Sequence, residues 1–140
     1  MKRWSVLLFP FAWIYGVVTT LRNCFFDWGW ISSYPIEQSS IGVGNLSVGG
    51  TGKSVVIDFL ISHLKRDHIP VVISRGYKRS TRGVVIATEK STAQTLGDEP
   101  YQMFSKQGVA VVVAEKRVAA LKVLNQIKPH PEVLLFDDVL

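Results

Sequence analysis

Hydrophobic and polar positions divide the chain into two regimes. From Trp4 to Leu21 no charged residue interrupts a run rich in Leu, Val, Phe and Trp, bounded by Arg3 and Arg22. From residue 40 onward, short apolar runs alternate with stretches of helical periodicity. Ser40 to Asn45 reads as a strand entering a glycine-rich turn. Gly52 to His68 reads as a helix with a stripe of Val56, Leu60 and Leu64, joined by Ile57 and Ile61. Asp58, His63, Lys65 and Arg66 are expected to face outward. Pro70 ends that helix and opens a strand, Val71 to Ser74. Val84 to Ala87 reads as a short strand, Ser91 to Gln94 as the start of a helical piece, and Pro100 to Lys106 as a helix. The continuous apolar runs Val109 to Ala114 and Val133 to Phe136 fit parallel strands buried on both faces. Between them Glu115 to Lys128 is predicted to be one amphipathic helix, with Val118, Leu121, Leu124 and Ile127 inward and Pro129 and Pro131 closing it.

Strands alternating with helices predict an α/β fold, a parallel sheet with right-handed crossovers. The leading apolar run is close to the ~20 residues a transmembrane helix needs, but Pro10 and Gly16 interrupt it. Its tryptophans and tyrosine suit the headgroup zone. It is read as a membrane anchor, spanning or lying in the interface, with Arg22 reaching phosphate. A signal peptide lacks its small-x-small cleavage site here, and an apolar helix packed on the domain is the remaining alternative.

Composition narrows this only a little. The 140 residues suffice for one domain with a core, and the net charge of +5 suits phospholipid, nucleotide or nucleic acid alike. The single cysteine, Cys24, excludes an intrachain disulfide; one Cys and three scattered His exclude a closed zinc site.

Candidate chemistry lies in four motifs. In Ser47-Val48-Gly49-Gly50-Thr51-Gly52-Lys53-Ser54, between a predicted strand and a predicted helix, glycines let backbone N–H groups approach phosphate. The helix start adds its dipole. Lys53 would reach the β- and γ-phosphates, and the Ser54 hydroxyl would ligate Mg²⁺. Val133 to Phe136 delivers Asp137 and Asp138: one carboxylate could hold the metal, and the second could accept the proton of an attacking hydroxyl. In Ser74-Arg75-Gly76-Tyr77-Lys78-Arg79 two readings of Arg75 stay open, a bidentate phosphate contact and a solvated basic loop. Gly97-Asp98-Glu99-Pro100, taken by itself, reads as a helix start with Asp98 as N-cap.

These motifs in this order, behind an aromatic apolar leader, resemble the tetraacyldisaccharide 4′-kinase family of lipid A biosynthesis. The resemblance rests on VGNLSVGGTGKS (Val43 to Ser54), SRGYKR (Ser74 to Arg79), GDEP (Gly97 to Pro100) and the strand ending Asp137-Asp138. It implies a P-loop kinase amino-terminal lobe over residues 31–140 behind a membrane-associated segment at 1–30. The implied activity is transfer of the ATP γ-phosphate to the 4′-hydroxyl of an acylated glucosamine disaccharide. The implied cofactors are ATP and Mg²⁺. Partners would be the lipid acceptor and a membrane surface, not nucleic acid, with the site on the cytoplasmic face of the inner membrane.

By the same resemblance Ser47, Val48, Gly49, Gly50, Thr51, Gly52, Lys53 and Ser54 bind nucleotide, Ser54 and Asp137 serve the metal, and Lys53 and Asp138 act in catalysis, Asp138 as the base. Arg75, Tyr77, Asp98 and Glu99 line the headgroup site, which displaces the capping-only view of GDEP. Family members usually carry Pro where Val55 follows Ser54. They continue beyond the paired aspartates with a Gln-His-Arg-like segment and a second lobe that supplies a histidine. An incomplete sheet and little kinase activity are therefore expected of these 140 residues alone. Competing readings are another membrane-associated P-loop ATPase, which would carry Lys at the position of Val48, a GTPase, whose guanine-reading Asn/Thr-Lys-x-Asp is absent, and a nucleotide-binding fragment without turnover.

Overall fold

The computed structural model describes residues 4–30, 34–44 and 52–137. The chain divides into two compact units, Met1–Pro35 and Ile36–Leu140.

The first unit is a helix, α1 (Trp4–Asp27), of 24 residues that contains Pro10. Thr19 and Thr20 donate their hydroxyl protons to backbone carbonyls three or four residues back, which hides their polarity. Phe11, Trp13, Ile14, Tyr15, Val18 and Leu21 are exposed. Past the helix, Gly29 takes φ 73° and turns the chain so that Trp30 stacks on Phe25 at 5.4 Å between ring centroids. Trp28 meets both rings edge-on, and Arg22 lies 5.7 Å from the centroid of Phe26. Among the described residues, no helix is both long and apolar enough to cross a membrane.

The second unit is built on a five-stranded sheet, in chain order β1 (Ser39–Val43), β2 (Pro70–Ser74), β3 (Val85–Ile86), β4 (Ala110–Val113) and β5 (Val133–Asp137). Spatial order is β1-β5-β2-β4-β3. Strands β1, β5, β2 and β4 run parallel. The expectation of an all-parallel sheet needs one correction: β3 pairs antiparallel with β4, Val85 opposite Val113. In the β2–β3 connection the Arg79 guanidinium donates to the Val113 carbonyl at the end of β4, and β3 then runs back along β4.

Strand periodicity sorts the core into two layers. Val72, Val111, Val113 and Leu135 face Ile57 and Ile61 of α2 (Lys53–Leu64), with Leu96 of α3 (Ala93–Leu96) and Met103 of α4 (Asp98–Gln107). Val71, Ile73, Val112, Leu134 and Phe136 face Ala120 of α5 (Arg117–Leu121) together with Leu124 and Ile127. Helices therefore cover both sheet faces, and the central strands are buried throughout.

Three helix expectations change. The buried stripe of α2 centres on Ile57 and Ile61, whereas Val56 is exposed, and the helix gives way after Leu64 to turns that reach His68. The helical piece expected at Ser91 begins at Ala93, behind a Thr92–Thr95 capping box. The single helix expected over Glu115–Lys128 is α5 followed by a 3₁₀ turn at Leu124–Gln126. Lys116 offers no side-chain acceptor to the first amides, and Val123 and Asn125 are weak helix formers, so the segment shortens while Leu124 and Ile127 stay buried.

Candidate functional site

Register places the chemistry. Val43 at the end of β1 lies opposite Asp137 at the end of β5, and Ile73 lies opposite Phe136. The carboxyl ends of β1, β5 and β2 thus sit side by side, where open α/β sheets take their ligands. The chain leaving β1 returns as α2, whose first residue is Lys53 behind Gly52 at φ 77° and ψ 16°. That left-handed geometry is natural for glycine and lets the helix start abruptly. Ser54 follows in the first turn of α2, where backbone N–H groups have no intrahelical partner.

Asp137 is buried at 4% exposure, and Ser74 donates its hydroxyl proton to Asp137 Oδ2 at 3.0 Å. The Gly76 N–H in turn donates to Ser74 Oγ at 3.4 Å. This relay fixes the rotamer of the carboxylate and ties it to the SRGYKR loop.

A cavity of about 610 Å³ opens here, lined by Lys53, Ser74, Arg75, Tyr77, Lys78, Asp98, Glu99, Pro100 and Asp137. Six residues singled out from the sequence, Lys53, Arg75, Tyr77, Asp98, Glu99 and Asp137, thus share one cavity although they come from four segments. Ser47, Val48, Gly49, Gly50, Thr51 and Asp138 lie outside the described residues. Asp98 is not the N-cap it was expected to be. Gly97 holds that position, without a side-chain cap, and Asp98 and Glu99 occupy the first turn of α4. Both remain exposed to the cavity and favour the helix dipole from there.

Two close backbone approaches hold the loop against that turn. A Cβ on Gly76 (φ 68°) would stand 2.6 Å from the Leu96 carbonyl oxygen, and one on Gly97 (φ 95°) 2.9 Å from the Tyr77 carbonyl oxygen. These glycines let the SRGYKR and GDEP backbones touch, which sets Arg75 and Tyr77 beside Asp98 and Glu99.

Arg79 supplies the other anchor. Its guanidinium, with the side chain 3% exposed, donates to the Gly83 carbonyl at 2.5 Å and to Glu115 Oε1 at 2.6 Å. It also reaches Thr81 Oγ1. The Glu115 carboxyl is held below the usual glutamate range, first by its own backbone N–H, then by Arg79, with the Gly83 N–H adding to both. Arg79 is therefore a structural clamp. Arg79→Ala is expected to cost about 2 kcal/mol, since the Val113 carbonyl, the Gly83 carbonyl and Glu115 all lose a charged donor, read as a lower denaturant midpoint at unchanged m-value. Because the folded pKa of Glu115 is depressed, its contribution is present above the unfolded pKa and is lost as pH falls through the folded one. Glu115→Gln should flatten the acid limb of stability between those values.

Sequence reading did not single out Ser74, Lys78 or the Arg79–Glu115 pair as site residues. The first two stand within the SRGYKR motif. The pairing of Arg79 with a glutamate 36 positions on has no sequence signal.

The strand order, with a buried aspartate at the tip of the strand beside β1, defines an α/β fold of a mostly parallel sheet flanked by helices, its ligand edge at the carboxyl ends of β1, β5 and β2. The family model described as tetraacyldisaccharide-1-P 4′-kinase matches residues 4–140, and the chain belongs to that family. It is 49% identical over 133 residues to the tetraacyldisaccharide 4′-kinase of Bacteroides thetaiotaomicron, covering 94% of this chain and 35% of the relative. It is 44% identical over 133 residues to that of Flavobacterium johnsoniae, covering 94% and 39%. The chain thus spans little more than a third of the length of these curated relatives. Among solved structures, LpxK from Aquifex aeolicus in complex with ATP superposes with a TM-score of 0.72 at 37% identity, covering 99% of this chain and 44% of that one.

Proposed function

We propose that this chain forms the ATP-binding lobe of a kinase that phosphorylates the 4′-hydroxyl of a tetraacylated glucosamine disaccharide phosphate. The observation that carries this reading is the shared cavity. It joins a phosphate-reaching lysine at a helix start, a buried carboxylate at a strand tip, and an arginine–tyrosine–acid cluster wide enough for a sugar headgroup. ATP binding in the related Aquifex structure agrees with it.

Lys53 would hold the β- and γ-phosphates as a point charge, with the N-terminal end of α2 and its dipole beside it. Arg75 can form a bidentate contact to phosphate or to an acceptor oxygen. Tyr77, 80% exposed, offers a flat face to a sugar. Asp98 and Glu99 can accept hydroxyl protons from the headgroup. Asp138 is assigned as the base, one residue beyond the fixed Asp137.

Magnesium fits the residues present. Among the described residues no group of three or more His, Cys, Asp or Glu converges on one point. Mg²⁺ does not require one, since it takes one or two protein oxygens and completes its shell with water and phosphate. Asp137, oriented by Ser74, and Ser54 are oxygen donors of that kind. When bound, the ion would neutralise charge on the β- and γ-phosphates.

Membrane association belongs to the same reading. The exposed Phe11, Trp13 and Tyr15 of α1, with Arg22 toward its end and the exposed Trp28 and Trp30 just past it, have the composition of an interfacial segment. The cytoplasmic face of the inner membrane is where ATP and such a lipid acceptor meet.

Calorimetric titration of the chain with Mg²⁺-ATP, Mg²⁺-GTP and the acceptor in neutral-detergent micelles tests the reading. ATP and the acceptor are expected to bind, and the chain should float with anionic phospholipid vesicles. A preference for guanine, or absence of binding to both ATP and acceptor, would overturn it.

A further inference from the structure

Lys78 has φ 59°, and among the described residues no other non-glycine residue has a positive φ. A β-carbon in the left-handed region crowds the following carbonyl, so glycine is the unstrained occupant of such a position. Backbone strain of this kind persists where the surroundings impose it, commonly at functional sites. Here it falls on a long cationic side chain inside the candidate site.

The surroundings are specific. Lys78 lines the same cavity as Lys53, Arg75, Asp98 and Asp137. Arg79, the next residue, is clamped by Glu115 and the Gly83 carbonyl, and Gly76, two residues back, is pressed on the Leu96 carbonyl. The loop is thus pinned on both sides of Lys78, and its direction into the cavity is imposed. No carboxylate among the described residues pairs with its ammonium, which lies 5.4 Å from the ring centroid of Tyr77. An exposed cation held over an aromatic face, in a cavity whose lining carries Lys53 and Arg75 as well as Asp98, Glu99 and Asp137, is arranged to meet an anion carried in by a ligand.

We propose that Lys78 is an anion-binding residue of this cavity, fixed in a left-handed backbone so that its ammonium meets a phosphate of the bound ligand. The inference rests on the function proposed above. The phosphate has two possible sources, the nucleotide and the acceptor's own phosphate.

The test uses the 140-residue chain with Lys78→Gly, Lys78→Gln and Lys78→Arg, followed by thermal melting and by titration. The ligands are Mg²⁺-ATP, the acylated disaccharide phosphate, and the same disaccharide without its phosphate. Lys78→Gly removes the strain, so its melting midpoint should equal or exceed that of the unmodified chain. Yet it and Lys78→Gln should bind one phosphorylated ligand about ten-fold more weakly, the scale of one charge-assisted hydrogen bond. Lys78→Arg should restore most of that loss. Weakening confined to ATP assigns the nucleotide. Weakening for the phosphorylated disaccharide but not its dephosphorylated counterpart assigns the acceptor phosphate.

Unchanged affinity of Lys78→Gly and Lys78→Gln for both phosphorylated ligands would overturn the inference alone. So would equal weakening for the disaccharide with and without phosphate. An unmodified chain that binds neither ligand would overturn the proposed function, and this inference with it.

Discussion

Replacing Lys53 by alanine is expected to weaken ATP binding on the order of 100-fold, about 3 kcal/mol, with little change in fold. Lys53 is the first residue of α2 and lines the cavity beside Asp137. Its ammonium would compensate phosphate charge where solvent access is partial, and removal leaves that charge to the first-turn amides of α2 and to the more exposed Arg75 and Lys78. The helix itself does not depend on this side chain, because its buried contacts come from Ile57 and Ile61. Titration with Mg²⁺-ATP reads the affinity, and far-ultraviolet circular dichroism confirms that the helix content is retained. Lys53→Arg keeps the charge but changes its shape, and should recover only part of the loss. A Lys53→Ala chain that binds ATP as well as the unmodified one would move the phosphate site away from the start of α2.

The second large effect is structural. Gly97→Ala is expected to destabilise the second unit by about 3 kcal/mol or more, whereas Gly83→Ala should cost only about 1 kcal/mol. Both glycines have positive φ, but their surroundings differ. Gly97, at φ 95° and ψ 155°, lies in a region reserved almost wholly for glycine, and an added Cβ meets the Tyr77 carbonyl oxygen at 2.9 Å and Gly76 backbone at 3.2 Å. An added Cβ on Gly83, at φ 75°, meets nothing within 4 Å. At Gly97 strain and collision add, and the collision is with backbone that cannot swing aside. A separation of roughly 10 °C between the two melting midpoints is the expected reading for a unit of this size. The Gly97 variant should also lose acceptor affinity, because Tyr77 and Asp98 are displaced relative to each other. Equal midpoints for the two variants would mean that the SRGYKR and GDEP backbones are not in contact.

How much of this the sequence carried depends on the range of the cause. Strands β2, β4 and β5 were legible as continuous apolar runs, because burial on both faces leaves no polar alternation. Helix α2 was legible from its period, although its boundary and the exposure of Val56 were set by what the sheet leaves room to cover. The segment Glu115–Lys128 has the spacing of one helix but lacks the cap and propensity to sustain it, so packing keeps Leu124 and Ile127 inward through a 3₁₀ turn instead. The antiparallel β3 could not be read from Val84–Ala87, since two residues of strand carry no signal of direction and the Arg79 contacts with Glu115 and Gly83 beside it are long-range.

The site divides in the same way. Lys53, Arg75, Tyr77, Asp98, Glu99 and Asp137 stand in motifs, so their chemistry was visible, but nothing in the spacing says that they surround one cavity. That convergence follows from strand order, which puts β5 between β1 and β2, and from the Gly76 and Gly97 approaches. The Ser74–Asp137 hydrogen bond spans 63 positions and has no local signal. Lys78 was hidden for a different reason: its backbone angle, not its identity, marks it.

The central claim is that ATP sits at the carboxyl ends of β1, β5 and β2. The most direct measurement is amide chemical-shift mapping of the isotopically labelled chain as Mg²⁺-ATP is added. The largest displacements should fall at Gly52–Ser54, Ser74–Tyr77 and Asp137, and in the Lys53→Ala chain they should need on the order of 100-fold more nucleotide. Displacements concentrated at the opposite strand ends, around His68, Glu132 and Ser39, or no displacement at saturating nucleotide, would contradict it.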